Sequence, residues 1–417
     1  MAATALPPFD LAPLSRFLAE ASGAERVEIT AFDLLSGGAI QENWGIEAAI
    51  AGGSLARRQL LVLRTDAATG IPSSLSRVEE FAVLRAVHTA GVTVPGPLFA
   101  SAEPGIIGKP FFVMQRIAGT AQGRHITSDP ALEPALPRIA ARLGEELARI
   151  QTIRPPRLDL GFLPPPEANI PAEQIAGFRA YLDRHPNPRP VLEWAMGWLE
   201  THIPPPLGPV LCHRDFRTGN YMLDATELTG ILDWEFAGWG DPDEDIGWFC
   251  CKGWRFARLD REAGGIAERA SFYAGYERAA SRRLDPDRIH FWEAFANVRW
   301  AIIALQQSDR YLIGGARDLS TAIIGRRAGE CELELLMLLD PGGGPAEGPR
   351  PSRPYEGGRD ACGPADRVLR RFALDLRNGA FETCPSQECA ARVILWRMTI
   401  ARLREANPQF LAANGFG

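Results

Sequence analysis

Up to about residue 116 apolar and polar positions alternate in short runs, whereas from about residue 130 apolar residues recur every three to four positions. The first pattern predicts strands over 27–32, 45–50 and 59–64, a helix over 74–88, and a further apolar strand over 111–117 that leaves the turn Gly108-Lys109-Pro110. The second predicts helices over 139–151, 172–182, 191–202, 266–279, 289–306 and 319–339. Phe291, Trp292, Phe295 and Trp300 share one of these helices and read as core. A short hairpin interrupts the helical part, with strands at 220–224 and 230–233 around the turn 225–229. After residue 340 the pattern stops. Residues 341–358 are rich in proline and glycine, as in a linker, and 365–377 and 387–404 read as amphipathic helices. Two such helices are too little to bury a core, so the tail is expected to dock on its own body or on a partner subunit.

The expected architecture is therefore α+β. Residues 1–116 form an antiparallel-sheet lobe, 117–340 a mostly helical lobe, 341–358 a linker and 359–417 a helical appendix. With 417 residues, 46% of them hydrophobic, the chain can bury a substantial core. A formal charge of −6 and a pI near 5.7 exclude nucleic acid or an anionic membrane as the main partner, since both need a concentrated basic surface. The start carries no basic-then-apolar leader pattern and no apolar run reaches ~18 residues, so the expected compartment is the cytoplasm. The 7 cysteines, at 212, 250, 251, 331, 362, 384 and 389, are scattered with no C-x-x-C pair and read as reduced thiols. No partner that would make Cys212 a nucleophile is visible, and it reads as core.

Candidate chemistry is concentrated in His213-Arg214-Asp215-Phe216-Arg217-Thr218-Gly219-Asn220, followed by Asp233-Trp234-Glu235. Phosphoryl transfer from ATP requires a carboxylate to orient the attacking hydroxyl and oxygen ligands for Mg²⁺. The spacing from Asp215 to Asn220 places both on one tight loop that Gly219 can bend, and Asp233 arrives at the end of the hairpin. Upstream, Gly37 and Gly38 lie between strands, where backbone amides can approach phosphate oxygens. Arg64 ends the strand 59–64, and the following helix carries Glu79 and Glu80. A strand cation paired with a helical glutamate is the usual grip on nucleotide phosphates, and Glu80 is the expected partner. Arginine here retains the charge but changes the geometry relative to the more familiar lysine.

Taken in order, these segments resemble the aminoglycoside phosphotransferase and choline kinase-like superfamily over roughly residues 25–340. They are particularly similar to phosphotransferases related to the kinase-like domain of certain acyl-CoA dehydrogenases. The pieces that carry the resemblance are 35–39, 61–64, 107–114, 213–220, 231–237, 240–248, 253–256 and 297–300. The resemblance implies a two-lobed protein-kinase-like fold, with Asp215 as base and Asn220 and Asp233 as magnesium ligands. It further implies Glu235 in support of the metal, Gly37, Gly38, Arg64 and Glu80 at the nucleotide phosphates, and a hinge whose backbone around Gln115 and Ile117 meets adenine. Arg214 stands where this superfamily commonly has glycine and, with Trp254 and Arg255, falls where related enzymes bind the acceptor.

The acceptor itself is left open. Aminoglycosides call for an acidic pocket, which Asp241, Asp243, Glu244 and Asp245 could supply; a hydroxyacyl-CoA or hydroxy acid calls for basic and apolar walls, which Arg214, Arg217, Lys252 and Arg255 could supply. The resemblance implies the acyl compound. A protein kinase is disfavoured, because Asp241 follows Asp233 too closely for a long activation segment. A non-catalytic nucleotide-binding module is the competing class, and it has no need to keep Asp215, Asn220 and Asp233 together.

Overall fold

Apolar segments before residue 116 pair into one antiparallel sheet in the computed structural model, which describes residues 9–35, 41–67, 74–166, 169–312, 314 and 323–339. The loop holding Gly37 and Gly38, the 341–358 linker and the 359–417 tail lie outside the described residues. The chain divides into two units, Met1–Pro166 with Leu207–Asp285, and Glu167–Pro206 with Pro286–Gly417.

The first unit begins with an element that the alternating pattern does not predict, helix α1 (Leu11–Ser22), capped by the Asp10 carboxylate on the Ala12 amide. Leu14 and Leu18 lie one turn apart and are buried in the core under the sheet. The sheet contains β1 (Arg26–Leu34), β2 (Gln41–Ala51), β3 (Arg57–Asp66), β4 (Pro97–Ser101) and β5 (Phe111–Gln115), in the order β1-β2-β3-β5-β4. Side chains alternate across a strand, so Leu61 and Leu63 join Leu14 and Leu18 while Val62 and Arg64 face the other way. Helix α2 (Arg77–Thr89) packs there, with Phe81 5.9 Å from Phe112. Ser76 and Glu79 close a capping box that fixes where α2 starts. A single turn, α3 (Pro104–Ile107), connects β4 to β5.

Helices α4 (Gly123–Ser128) and α5 (Leu136–Ile150) follow in the same unit. The chain then supplies α6 (Ile170–Leu182) and α7 (Pro190–Thr201) to the second unit. It returns to the first with β6 (Val210–Cys212), β7 (Tyr221–Asp224), β8 (Glu227–Ile231), β9 (Gly238–Gly240), α8 (Glu244–Cys250) and α9 (Arg269–Ala280). Strand β6 pairs with β9, and β7 with β8. Helices α5 and α9 touch through their backbones: a Cβ on Gly275 would lie 1.9 Å from the Ala141 carbonyl oxygen, and one on Gly144 2.2 Å from that of Phe272.

The second unit adds α10 (Pro286–Leu312) and α11 (Arg327–Leu339). Its core is built from Leu192, Met196, Phe291, Trp292, Phe295 and Leu335, with Trp300 packed at the edge. Each such side chain contributes about 1.5–3 kcal/mol on burial, so the aromatics of α10 serve packing. Among the described residues no helix is long and apolar enough to cross a membrane.

Candidate active site

Strand β6 delivers the chain into a loop whose backbone is held by a single carboxylate. Asp245, fully buried on α8, accepts from the His213 amide at 2.7 Å and the Arg214 amide at 2.8 Å. Arg214 adopts φ 62°, a left-handed conformation that costs a non-glycine residue about 1 kcal/mol and turns the chain toward Asp215. The buried His213 ring donates from Nε2 to the Leu232 carbonyl at 2.8 Å and accepts the Asp215 amide on Nδ1 at 3.2 Å. Burial keeps this imidazole below its usual range against the pull of Asp215, so it is neutral and serves the scaffold. Phe216 anchors the loop against Phe249, and Thr218 donates to the Gly264 carbonyl at 2.6 Å. Gly219, at φ 110°, then reverses the chain, and the Asn220 Nδ2 reaches back to the Asp215 backbone oxygen at 2.9 Å and Oδ2 at 2.6 Å.

Three side-chain donors meet the Asp215 carboxylate: Asn220 Nδ2, Trp248 Nε1 at 3.0 Å and Arg217 Nε at 3.0 and 3.2 Å. Each oxygen thus meets two donors, Oδ1 Trp248 and Arg217 and Oδ2 Asn220 and Arg217, so an incoming hydroxyl would replace one arm of the contact that Arg217 shares between them.

The hairpin β7–β8 brings in the second acid. Asp233 follows β8 at φ 69°, again left-handed and not glycine, and its carboxylate is ion-paired with Arg64. Arg64 is buried; its Nε lies 3.0 Å from Glu80, and its Nη2 4.0 Å from Glu235. Burial disfavours its charge, but the carboxylates of Glu80, Asp233 and Glu235 outweigh that, raising its pKa above the ordinary arginine value. Burial likewise pushes Asp233 up, yet the Arg64 and Arg217 charges hold it below the ordinary carboxylate range. Glu235 moves the other way, raised by burial and by the charge of Asp233. Its carboxylate is enclosed by the Ser74 hydroxyl at 2.6 Å and Gln41 Nε2 at 2.9 Å, while its carbonyl accepts the Leu75 amide at 2.8 Å. Glu79 belongs to the cap of α2, and Glu80 to Arg64.

Gln115 ends β5, its amide donating to the Gly96 carbonyl at 2.8 Å, and Ile117 follows beside Gly230 of β8. The hinge segment therefore runs along the hairpin that leads to Asp233, as does the Thr120–Leu223 bridge. Arg214, Trp254 and Arg255 are turned to different partners. Arg214 donates to the Trp239 carbonyl at 2.7 Å and sits 3.6 Å from Glu244, and the buried Arg255 donates to the Cys250 carbonyl at 3.2 and 2.7 Å. Trp254 stacks under Arg217, 4.7 Å from ring centroid to Cζ. The acidic run is also withdrawn: Asp241, Asp243, Glu244 and Asp245 are all at most 4% exposed. Asp243 pairs with Arg282 at 2.6 Å, and Asp241 accepts the Asp243 amide at 3.0 Å.

Sequence reasoning did not single out Trp248, Arg77, Ser74 or Gln41, and it read Asp245 as one of the acids that could line an acceptor pocket. Arg77 is fully buried, pairs with Glu80, and stands 3.0 Å from Asp66 and 3.8 Å from Glu235. Its signal was its spacing, three residues before Glu80 on one helix face. Trp248 was visible only as part of a longer matching segment, and no local pattern announces that it and Asp245 reach back to Asp215 and its loop.

Residues 51–292 match the phosphotransferase enzyme family known as APH. Over 199 residues, 47% of this chain, the sequence is 30% identical to acyl-CoA dehydrogenase family member 10 of Mus musculus. Over 184 residues it is 30% identical to family member 11 of Gallus gallus. These matches span 18% and 23% of the two relatives, so the chain corresponds to a minor part of their length. Among solved structures, an aminoglycoside phosphotransferase homologue from Ralstonia eutropha superimposes with a TM-score of 0.64 at 22% identity, covering 80% of this chain and 99% of that one. A spectinomycin phosphotransferase in complex with ADP and spectinomycin gives a TM-score of 0.51 at 14% identity, covering 79% and 99%. The shared fold is the α+β, kinase-like one, with an antiparallel N-terminal sheet and a helical C-terminal region.

Proposed function

The chain belongs to the phosphotransferase enzyme family, and from that premise we propose that it transfers the γ-phosphoryl group of ATP, with Mg²⁺, to a hydroxyl of a small hydroxyacyl compound. The observation that carries the reading is the Asp215 carboxylate, held in place by three side-chain donors on the same loop as Asn220. The similarity to a segment of two acyl-CoA dehydrogenase family members supports an acyl acceptor, a hydroxy acid or its CoA thioester. The burial of the acidic run weighs against a polycationic acceptor, since those carboxylates already serve the loop and Arg282.

Asn220 and Asp233 fit a magnesium site. With Asn220 Nδ2 committed to Asp215, its Oδ1 is the donor left for a cation, and Asp233 supplies a carboxylate. One or two protein oxygens completed by phosphate and water suit Mg²⁺, which when bound neutralises phosphate charge. Among the described residues no group of three or more His, Cys, Asp and Glu is placed to hold a metal ion. Arg64 would exchange Asp233 for phosphate oxygens while Glu80, itself braced by Arg77, keeps the guanidinium in register. Asp215 orients the acceptor hydroxyl in line with the γ-phosphorus and takes its proton as the bond forms. No covalent enzyme intermediate is required.

The test is release of ADP from Mg-ATP with 3- and 4-hydroxy acids, their CoA thioesters, aminoglycosides and choline as acceptors. Asp215→Ala should lower acceptor-dependent turnover by about 10²–10⁴-fold while nucleotide binding persists. Turnover equal in the variant would remove Asp215 as the base, and turnover absent with every acceptor while nucleotide still binds would support a non-catalytic module.

A further inference from the structure

Arg217 is held on two sides and open on a third. Its guanidinium lies 4.7 Å over the Trp254 ring, its Nε donates to both oxygens of Asp215, and its Nη1 donates to the Thr218 carbonyl at 3.3 Å. Among the described residues its Nη2 donates to nothing, and 25% of the side chain remains exposed. A guanidinium has five N–H donors in a rigid fork, so one edge can hold the base while the other receives an oxygen. The other arginines of this stretch do not offer that edge beside the base, because Arg214 is turned onto the Trp239 carbonyl and Glu244 and Arg255 onto the Cys250 carbonyl.

A hydroxyl accepted by Asp215 must lie against the carboxylate that Arg217 also touches. An acceptor oxygen a few bonds from that hydroxyl then falls within reach of Nη1 and Nη2. We infer that Arg217 reads an acyl oxygen of the acceptor, the carboxylate of a hydroxy acid or the carbonyl of its thioester, and so selects acyl alcohols over neutral and cationic ones. The inference rests on the phosphotransferase reading for the placement of the hydroxyl, and it adds a residue that sets specificity. Trp254 supports it from below: stacking on an aromatic face holds the fork flat and lowers the entropy lost when an oxygen binds. A polyamine acceptor would meet an arginine at the base, where like charges repel.

The experiment measures binding and turnover separately on the full chain. Wild type, Arg217→Ala and Arg217→Lys are titrated calorimetrically with 3-hydroxybutyrate, 4-hydroxyvalerate, 1,3-butanediol and 3-hydroxybutyryl-CoA, and melting curves confirm that each variant is folded. Loss of a charge-assisted bond predicts about 10- to 100-fold weaker binding of the hydroxy carboxylates to Arg217→Ala, with the diol, which has no acyl oxygen, changed by less than about threefold. Arg217→Lys should recover part of the loss. If the thioester, but not the free acids, weakens, the acyl oxygen read is the thioester carbonyl. Equal loss for the acyl probes and the diol, or a wild type that binds no acyl probe better than the diol, would overturn the inference. Arg217-dependent binding without phosphate transfer would sink the phosphotransferase reading and leave this one standing; turnover indifferent to Arg217 would do the reverse.

Discussion

Replacing Asp245 tests whether the catalytic loop is held by one buried carboxylate. The side chain is fully buried and accepts two consecutive amides, at 2.7 and 2.8 Å. A hydrogen bond to a charged acceptor contributes about 1.5–3 kcal/mol, and its loss inside the protein leaves an amide with no water to replace it. Asp245→Ala should therefore destabilise by about 3–6 kcal/mol, a large part of the roughly 5–15 kcal/mol available to a folded domain. Asp245→Asn keeps one acceptor oxygen and turns its NH₂ toward the other amide, so about half that loss is expected. Urea unfolding followed by tryptophan fluorescence gives the stability, and ADP release gives the rate. Because the two amides flank the residue that positions Asp215, turnover in Asp245→Asn should fall further than nucleotide affinity. A midpoint for Asp245→Ala within about 0.5 kcal/mol of wild type would refute the anchoring argument, and so would equal effects of alanine and asparagine.

Further predictions address other parts of the same unit. Arg214→Gly should be nearly neutral in stability, since relief of the left-handed backbone, about 1 kcal/mol, offsets loss of the bond to Trp239. Arg214→Ala keeps the strain and should cost about 1 kcal/mol in the same unfolding assay. Gly275→Ala forces a methyl to within 1.9 Å of a backbone oxygen on α5, and a melting-point fall corresponding to about 2–3 kcal/mol is expected. Arg64→Met leaves Glu80 and Asp233 without their shared cation, so it should cost about 3–5 kcal/mol by urea titration and abolish tight nucleotide binding in calorimetry. Cys212, Cys250, Cys251 and Cys331 are buried, and burial followed by the Asp245 and Glu244 charges pushes the Cys212 thiol up. Mass-mapped alkylation of the native protein at about pH 8 should leave all four unmodified.

The elements legible from residue order are those with an apolar run or period long enough to stand out. Strand β3 is buried on both faces from Leu61 to Thr65 and is legible as the short apolar run Leu60-Leu61-Val62-Leu63. Helix α7 likewise spans Pro190–Thr201 where the apolar spacing predicts 191–202. Helix α1 escaped because it is short and lies before a strand-rich stretch, with only Leu14, Leu18 and Ser22 buried. The hairpin strand β8 starts at Glu227, not 230, because Ala225 takes a positive φ and makes a tighter turn than the composition of 225–229 suggests. At the site, local spacing brings Asp215 and Asn220 onto one loop, since a single glycine closes it. The roles of Asp245, Trp248 and Arg77 depend on contacts between segments distant in sequence, and no short-range pattern encodes those. Arg214, Arg217 and Arg255 look alike as charges in the sequence, and only their hydrogen bonds tell an inward brace from an outward fork.

The stitching of α2 to the segment after Asp233 has a consequence for control. Ser74 and the Leu75 amide both bind Glu235, and Arg77 joins Glu80, Asp66 and the Glu235 side chain at the start of that helix. Swinging the helix outward, a common way of silencing kinase-like enzymes, would here drag Glu235 along and strand two buried carboxylates. The tilt of α2 and the position of the Asp233 turn are thus a single mechanical coordinate, not two. Moving this helix would therefore disrupt the whole acidic corner around Glu80 and Glu235.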